Sequence, residues 1–119
     1  MVTSWHLVRT VFDINPEPMV VLDAETKMVI ANTALSELMN ISPEDIKGMD
    51  ILSIQSLAAQ EFDLKSDLKT AFTQGRKFQS DVFEVTSSPG KQKFCIRGRI
   101  IKKDHDAPYR ILLQFIKQG

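Results

Sequence analysis

The side chains able to do chemistry are few in this sequence and stand far apart. Cys95 is its single cysteine, and His6 and His105 are its two histidines. A nucleophile needs a base within hydrogen-bond reach, and a metal needs several such ligands at short spacing. One thiol and two widely separated imidazoles supply neither arrangement, and a lone cysteine forms no internal disulfide. Asp104 and Asp106 flank His105 in a polar run where two acids can approach a cation; a solvated turn is the simpler reading. Solvent exposure is likewise the better reading for His6 and His105. Lys102, Lys103, Arg97 and Arg99 read either as an anion-binding surface or as the wet side of a strand, and the alternation of the arginines favours the strand. No glycine-rich phosphate loop and no nucleophile motif occurs. The residues therefore point to binding rather than catalysis, with a small α+β enzyme as the remote alternative.

The whole composition agrees. At 119 residues the chain can bury one core. Its 43% hydrophobic and 25% charged residues are ordinary for a globular domain. Lys plus Arg number 15, as do Asp plus Glu. That balance does not favour nucleic acid or an anionic membrane over a protein partner. No apolar run approaches the ~20 residues of a membrane-spanning helix. Trp5, His6 and Arg9 interrupt any signal-peptide pattern, so the expected setting is cytoplasmic, without membrane insertion.

The elements that would position these residues follow from periodicity. Leu7, Val8, Val11 and Phe12 share one face of an N-terminal amphipathic helix capped by Ser4. The stretch Ile14 to Pro18 ends it, because each proline disfavours helix at the residue before. Met19–Leu22 and Lys27–Ala31 read as a hairpin around the turn at residues 23–26. Asn32 can cap the helix carrying Ala34, Leu35, Leu38 and Met39. Ser42, Pro43, Glu44 and Asp45 open another short helix, which Gly48 stops. Short helical turns are expected between Met49 and Phe62. Asp63 to Gln74 gives the longest helix, with Leu64, Leu68, Ala71 and Phe72 on one face and Gly75 at its end. Three strands follow, Lys77–Thr86, Gln92–Lys102 and Pro108–Lys117, joined by turns at residues 87–90 and 103–107. Helices gathered between two groups of strands predict an α+β fold.

That order, with the residues at its joints, resembles the PAS family over nearly the whole chain. The resemblance rests on Pro18-Met19-Val20-Val21-Leu22-Asp23, on Met28-Val29-Ile30-Ala31-Asn32-Thr33-Ala34 with Leu38 after it, and on Ser42-Pro43-Glu44-Asp45-Ile46-Lys47-Gly48. It implies a five-stranded antiparallel sheet with short helices on one face, enclosing a pocket. It also implies a helix and linker over 1–16, a PAS domain over 17–119, and service to an output domain such as a histidine kinase, a cyclic-dinucleotide enzyme or a transcription regulator. The chain departs from the family at its end, where Gln114-Phe115-Ile116-Lys117-Gln118-Gly119 stands in place of an Asp-Ile-Thr motif.

The resemblance also bears on cofactors. Haem-binding relatives take an iron ligand from the long helix, and 63–74 has no histidine. Photoreceptor relatives carry a reactive cysteine among the middle helices, whereas Cys95 falls in a strand, where sheet packing is its simpler role. Neither haem nor a covalently reacting flavin is expected, and no other cofactor is assigned. Gln114 stands where such relatives place a flavin-contacting glutamine; its alternative is a polar side chain on a wet face or a dimer rim.

Alternation in the second strand of the meander sets Phe94, Ile96, Gly98 and Ile100 toward the core. Gly98 leaves room there for a ligand or a close backbone contact. With Leu68, Phe72 and Gln114 they are the pocket candidates, suited to a small apolar or aromatic ligand; a filled core is the competing reading. The last strand is apolar on both faces, so a cover is expected outside as well. Leu112 and Ile116, with Leu7, Val8, Val11 and Phe12, are the candidate homodimer surface. The expected function is a sensory or protein-interaction module signalling through ligand binding or dimer rearrangement, with a ligand-free dimerisation scaffold as the alternative.

Overall fold

The computed structural model describes residues 10–54, 64–80, 82–87, 90–101 and 110–118. Within them lie strands β1 (Met19–Leu22) and β2 (Met28–Ala31), helices α1 (Thr33–Met39) and α2 (Pro43–Ile46), a 3-10 turn (Ile51–Ser53) and helix α3 (Leu64–Gln74). Strands β3 (Phe78–Gln79), β4 (Phe83–Ser87), β5 (Gly90–Ile101) and β6 (Arg110–Lys117) follow. Residues 10–14 are helical. The side chains expected at Ser4, His6, Leu7, Val8, Lys102, Lys103, Asp104, His105 and Asp106 lie outside the described residues, as do residues 55–62 of the expected helical turns, residues 88–89 of the turn at 87–90 and the whole turn at 103–107.

All strand pairs are antiparallel, and the sheet has six strands in the order β2-β1-β6-β5-β3, with β4 also paired to β5. The expected hairpin, meander and central group of helices are all present. The sixth strand arises because the stretch read as one strand over 77–86 divides into β3 and β4. From Phe78 to Phe83 the chain advances five positions, while their partners Gly98 and Phe94 are four apart. One extra residue against a partner strand is the arithmetic of a bulge. Ser80 bridges the break: its backbone N–H donates to the Ile96 carbonyl (2.8 Å), and its hydroxyl accepts from the Ile96 N–H (2.9 Å).

The helix ends follow local chemistry. The Asn32 side chain accepts from the Leu35 N–H at the start of α1, and Ser42 accepts from the Asp45 N–H at the start of α2, where Pro43 follows the cap. Gly75 takes a φ of +65° and donates its N–H to the Ala71 carbonyl, closing α3 in the left-handed geometry that glycine adopts without cost. Leu64, Leu68 and Ala71 recur at i, i+4 and i+7, and this stripe of α3 is buried.

Strand register separates the two faces of the sheet. Val20 pairs with Leu113, Leu22 with Ile111, Ile96 with Phe115 and Phe94 with Lys117, which sets these residues on the helix side. Met19 pairs with Gln114, Val21 with Leu112, Cys95 with Ile116 and Arg97 with Gln114, which sets those on the outer side. One core, centred on Phe115, Leu113, Ile96, Leu68, Leu35 and Met28, fills the space between the inner face and the helices. Each such fully buried side chain contributes about 1.5–3 kcal/mol.

Candidate functional site

The inner face carries most of the expected pocket residues. Leu68, Phe94 and Ile96 are buried in the single core cluster, and Phe72 packs against it half-buried. They do not border one described cavity. Phe72 opens onto two depressions of about 800 and 740 Å³, one beside Gly75 and Arg99 and the other beside Thr26 and Asp50, while Phe94 opens onto a separate cleft.

Gly98 and Gln114 stand apart from the other pocket candidates. The space above Gly98 holds the Phe78 ring: a Cβ built on Gly98 would stand 2.2 Å from Phe78 Cε1. The glycine thus serves a close side-chain contact across the β3–β5 pair, Phe78 being its register partner. Phe78 escaped notice in the sequence because a phenylalanine near a strand start carries no signal of its cross-strand partner. Gln114 points the other way, because parity sets it between Leu113 and Phe115 and therefore on the outer face. There its Nε2 donates to Glu17 Oε1 (3.1 Å). A polar side chain at the rim of the outer face is its role in this structure.

The outer face holds the remaining candidates. Leu112 and Ile116 are half-buried, as are Val21 and Ile30 beside them. Phe12 is half-buried too, whereas Val11 is 55% exposed and Ile14 73%. Of the expected apolar helical face only Val11 and Phe12 lie among the described residues, and of these Val11 is left to solvent. Cys95 is buried on this side, its Sγ accepting from Gln118 Nε2 (3.3 Å) and Gln79 Nε2 (3.6 Å). Among the described residues no cluster of three or more His, Cys, Asp or Glu side chains stands ready to hold a metal. No helix among them is long and apolar enough to cross a membrane.

Asn32 connects the two regions. Its side chain is fully buried. The Oδ1 accepts from the Met19 N–H (2.9 Å) and the Leu35 N–H (3.0 Å). The Nδ2 donates to the Glu17 carbonyl (2.8 Å) and the Asn15 carbonyl (3.4 Å). An amide offers two acceptor sites and two donors, and all four are used. One side chain thereby ties the segment following helical residues 10–14 to β1 and to the start of α1. The sequence shows the cap, because Asn before a helix is a local signal. The other partners are 13 to 17 positions away, so no local pattern reveals them.

The cleft beneath Phe94 has a volume of about 510 Å³ and is bordered by the Pro16–Pro18 segment, by α1 and by the ends of β5 and β6. Phe94 and Phe115, edge to face with centroids 6.4 Å apart, lie at its base beside Leu38. Glu37 and Lys117 are exposed at its rim.

No family model matches the sequence, and no curated protein matches it. Solved structures do match by fold. The PAS domain of Bordetella pertussis BvgS superimposes with a TM-score of 0.73 at 17% identity, covering 97% of this chain and 86% of that one. A PAS domain from a two-component sensor histidine kinase gives 0.69 at 10% identity over 96% of both chains. The photoactive yellow protein domain of the sensor histidine kinase Ppr from Rhodospirillum centenum gives 0.70 at 16% identity over 90% of both.

Proposed function

This chain has the PAS fold, and from that premise we propose that it is a sensory or protein-interaction module of a signalling protein. Its signal passes to an output domain, a histidine kinase being the first choice, through a change in homodimer packing or in the orientation of the N-terminal helix. Two of the fold relatives come from sensor histidine kinases, which supports that choice. The observation that carries the reading is a set of apolar side chains on the outer face and on the helical segment, interrupted on β6 by Gln114. Leu112 and Ile116 on β6 adjoin Val21 and Ile30 on β1 and β2, and the helical segment presents Val11 and Ile14 to solvent. Apolar side chains exposed along a helix that leads into a sheet suit a second copy of the same surface.

A charge at Val11 should oppose that association. Val11→Arg is expected to cost about 1–3 kcal/mol of dimerisation, by placing an ion in an apolar contact. That is roughly a tenfold to hundredfold rise in the dimer dissociation constant. Sedimentation equilibrium measures it, and a wild-type chain that stays monomeric at high concentration would end the homodimer reading.

A ligand-free dimerisation scaffold is the second reading, favoured by the Phe78 ring over Gly98, which fills space a ligand would need. Native mass spectrometry of the purified chain separates the two. A retained small molecule supports the sensor, and a bare chain that still dimerises supports the scaffold.

A further inference from the structure

We propose that the cleft between α1 and the ends of β5 and β6 is a binding site for a small zwitterion with an aromatic or branched apolar body. Its use as a signal input rests on the sensory reading above; binding itself does not.

Strand register carries the first step. Along β6 the inner-face positions run Ile111, Leu113, Phe115 and Lys117, and Phe94 pairs with Lys117 across to β5. Lys117 is thus an exposed cation in an inner-face position, beside the buried rings of Phe94 and Phe115. Inner positions of a sheet are apolar wherever the helices seal them, so a lysine there marks where the seal ends and a recess begins. On α1, Ala34, Glu37 and Leu38 fall at i, i+3 and i+4 and border the same recess. Glu37 therefore stands on the α1 side and Lys117 on the strand side.

Opposite charges at a shared rim ordinarily pair with each other. Among the described residues neither Glu37 nor Lys117 has an ion-pair partner, although both border the cleft. The recess thus presents an aromatic base, one anionic wall and one cationic wall. Its volume, about 510 Å³, falls within the range of small-molecule sites. A ligand carrying an ammonium toward Glu37, a carboxylate toward Lys117 and an apolar body on the rings satisfies all three features. A purely anionic or cationic ligand leaves one wall opposed or unused. Pro16 and Pro18 close the third side, and the Glu17 carbonyl between them is held by Asn32. Occupancy would therefore press on the segment that leads to helical residues 10–14.

The test is NMR titration of the purified chain with L-phenylalanine, alongside phenylacetate, phenethylamine and glycine. L-phenylalanine should give saturable shifts at the Ala34, Leu38 and Phe115 amides. Phenylacetate and phenethylamine, each lacking one charge, should bind about fivefold more weakly, the scale of one partly exposed ion pair. Glycine, lacking the apolar body, should give no saturation. Glu37→Lys and Lys117→Glu alter exposed side chains and should each weaken L-phenylalanine, whereas the double exchange should restore it with the ligand reversed. Ala34→Trp, which fills the recess, should abolish the shifts. Absence of saturable shifts at millimolar L-phenylalanine, or equal binding of all four probes, would overturn the site. Shifts confined to Leu68 and Ile96 would overturn it too while leaving a sensor with an interior pocket. Saturation in the cleft with unchanged Val11 and Ile14 signals and unchanged sedimentation would keep the site and remove the sensory reading.

Discussion

Asn32→Ala is expected to lower the unfolding free energy by about 3–5 kcal/mol, which would leave a marginal domain of this size partly unfolded at physiological temperature. The side chain is completely buried and makes four hydrogen bonds, to the Met19 and Leu35 N–H groups and to the Glu17 and Asn15 carbonyls. Alanine removes both halves of the amide and leaves those backbone groups without the partner they had. Each buried donor so deprived costs about 1–3 kcal/mol. Loss of the α1 cap alone would account for about 1 kcal/mol. Asn32→Asp separates the two contributions. Aspartate caps a helix as well as asparagine does, but it cannot donate to the Glu17 and Asn15 carbonyls and sets a carboxylate oxygen against them. The connecting role therefore predicts that aspartate is nearly as damaging as alanine, and that amide exchange in residues 10–18 accelerates in both variants. Urea denaturation at fixed pH measures the first, with the slope against denaturant checking that the unfolded state is unchanged. An aspartate variant within about 0.5 kcal/mol of wild type would reduce Asn32 to an ordinary cap.

The same residue shows what sequence patterns convey and where they stop. Its capping role is local, being the relation between one side chain and an N–H three positions on, and composition alone suggests it. Its hold on Met19, Asn15 and Glu17 depends on how the hairpin folds back, which no period of 2 or 3.6 encodes. The fold was legible for the opposite reason. Alternation in β5, the α3 stripe Leu64-Leu68-Ala71 and the stops at Gly48 and Gly75 are all short-range signals, and all appear where the spacing puts them. The split of residues 77–86 was hidden because Ser80 joins the ladder through its hydroxyl, a bond that needs Ile96 beside it. Gln114 has two readings in the sequence, a flavin-type contact by resemblance and a polar side chain on a wet face or dimer rim, and its place between Leu113 and Phe115 in β6 sets it on the outer face. Lys117 is the converse case, since the same parity places a cation on the inner face at the place where the cleft opens.

Gly98→Ala carries the second large effect, about 2–3 kcal/mol of destabilisation from a single added methyl. Its Cβ would meet Phe78 Cε1 at 2.2 Å, Cζ at 2.7 Å and Cδ1 at 2.8 Å, all far inside van der Waals contact. The β5 backbone is paired on both sides, to β6 and to β3, so it cannot retreat. The ring must leave instead. Phe78 sits on a strand of two residues, which makes rotation of the ring cheaper than movement of the sheet but exposes apolar surface now packed against the core. Phe78→Ala alone forfeits that packing, at about 1.5–3 kcal/mol. In the double variant the clash no longer exists and the new methyl occupies part of the vacated volume. Its total cost should therefore be no greater than that of Phe78→Ala by itself. A double-mutant cycle then gives a coupling of about 2 kcal/mol between two residues that face each other across one strand pair. Costs that simply add would mean that the ring already stands clear of Gly98 in solution, and the space above the glycine would again be open to a ligand.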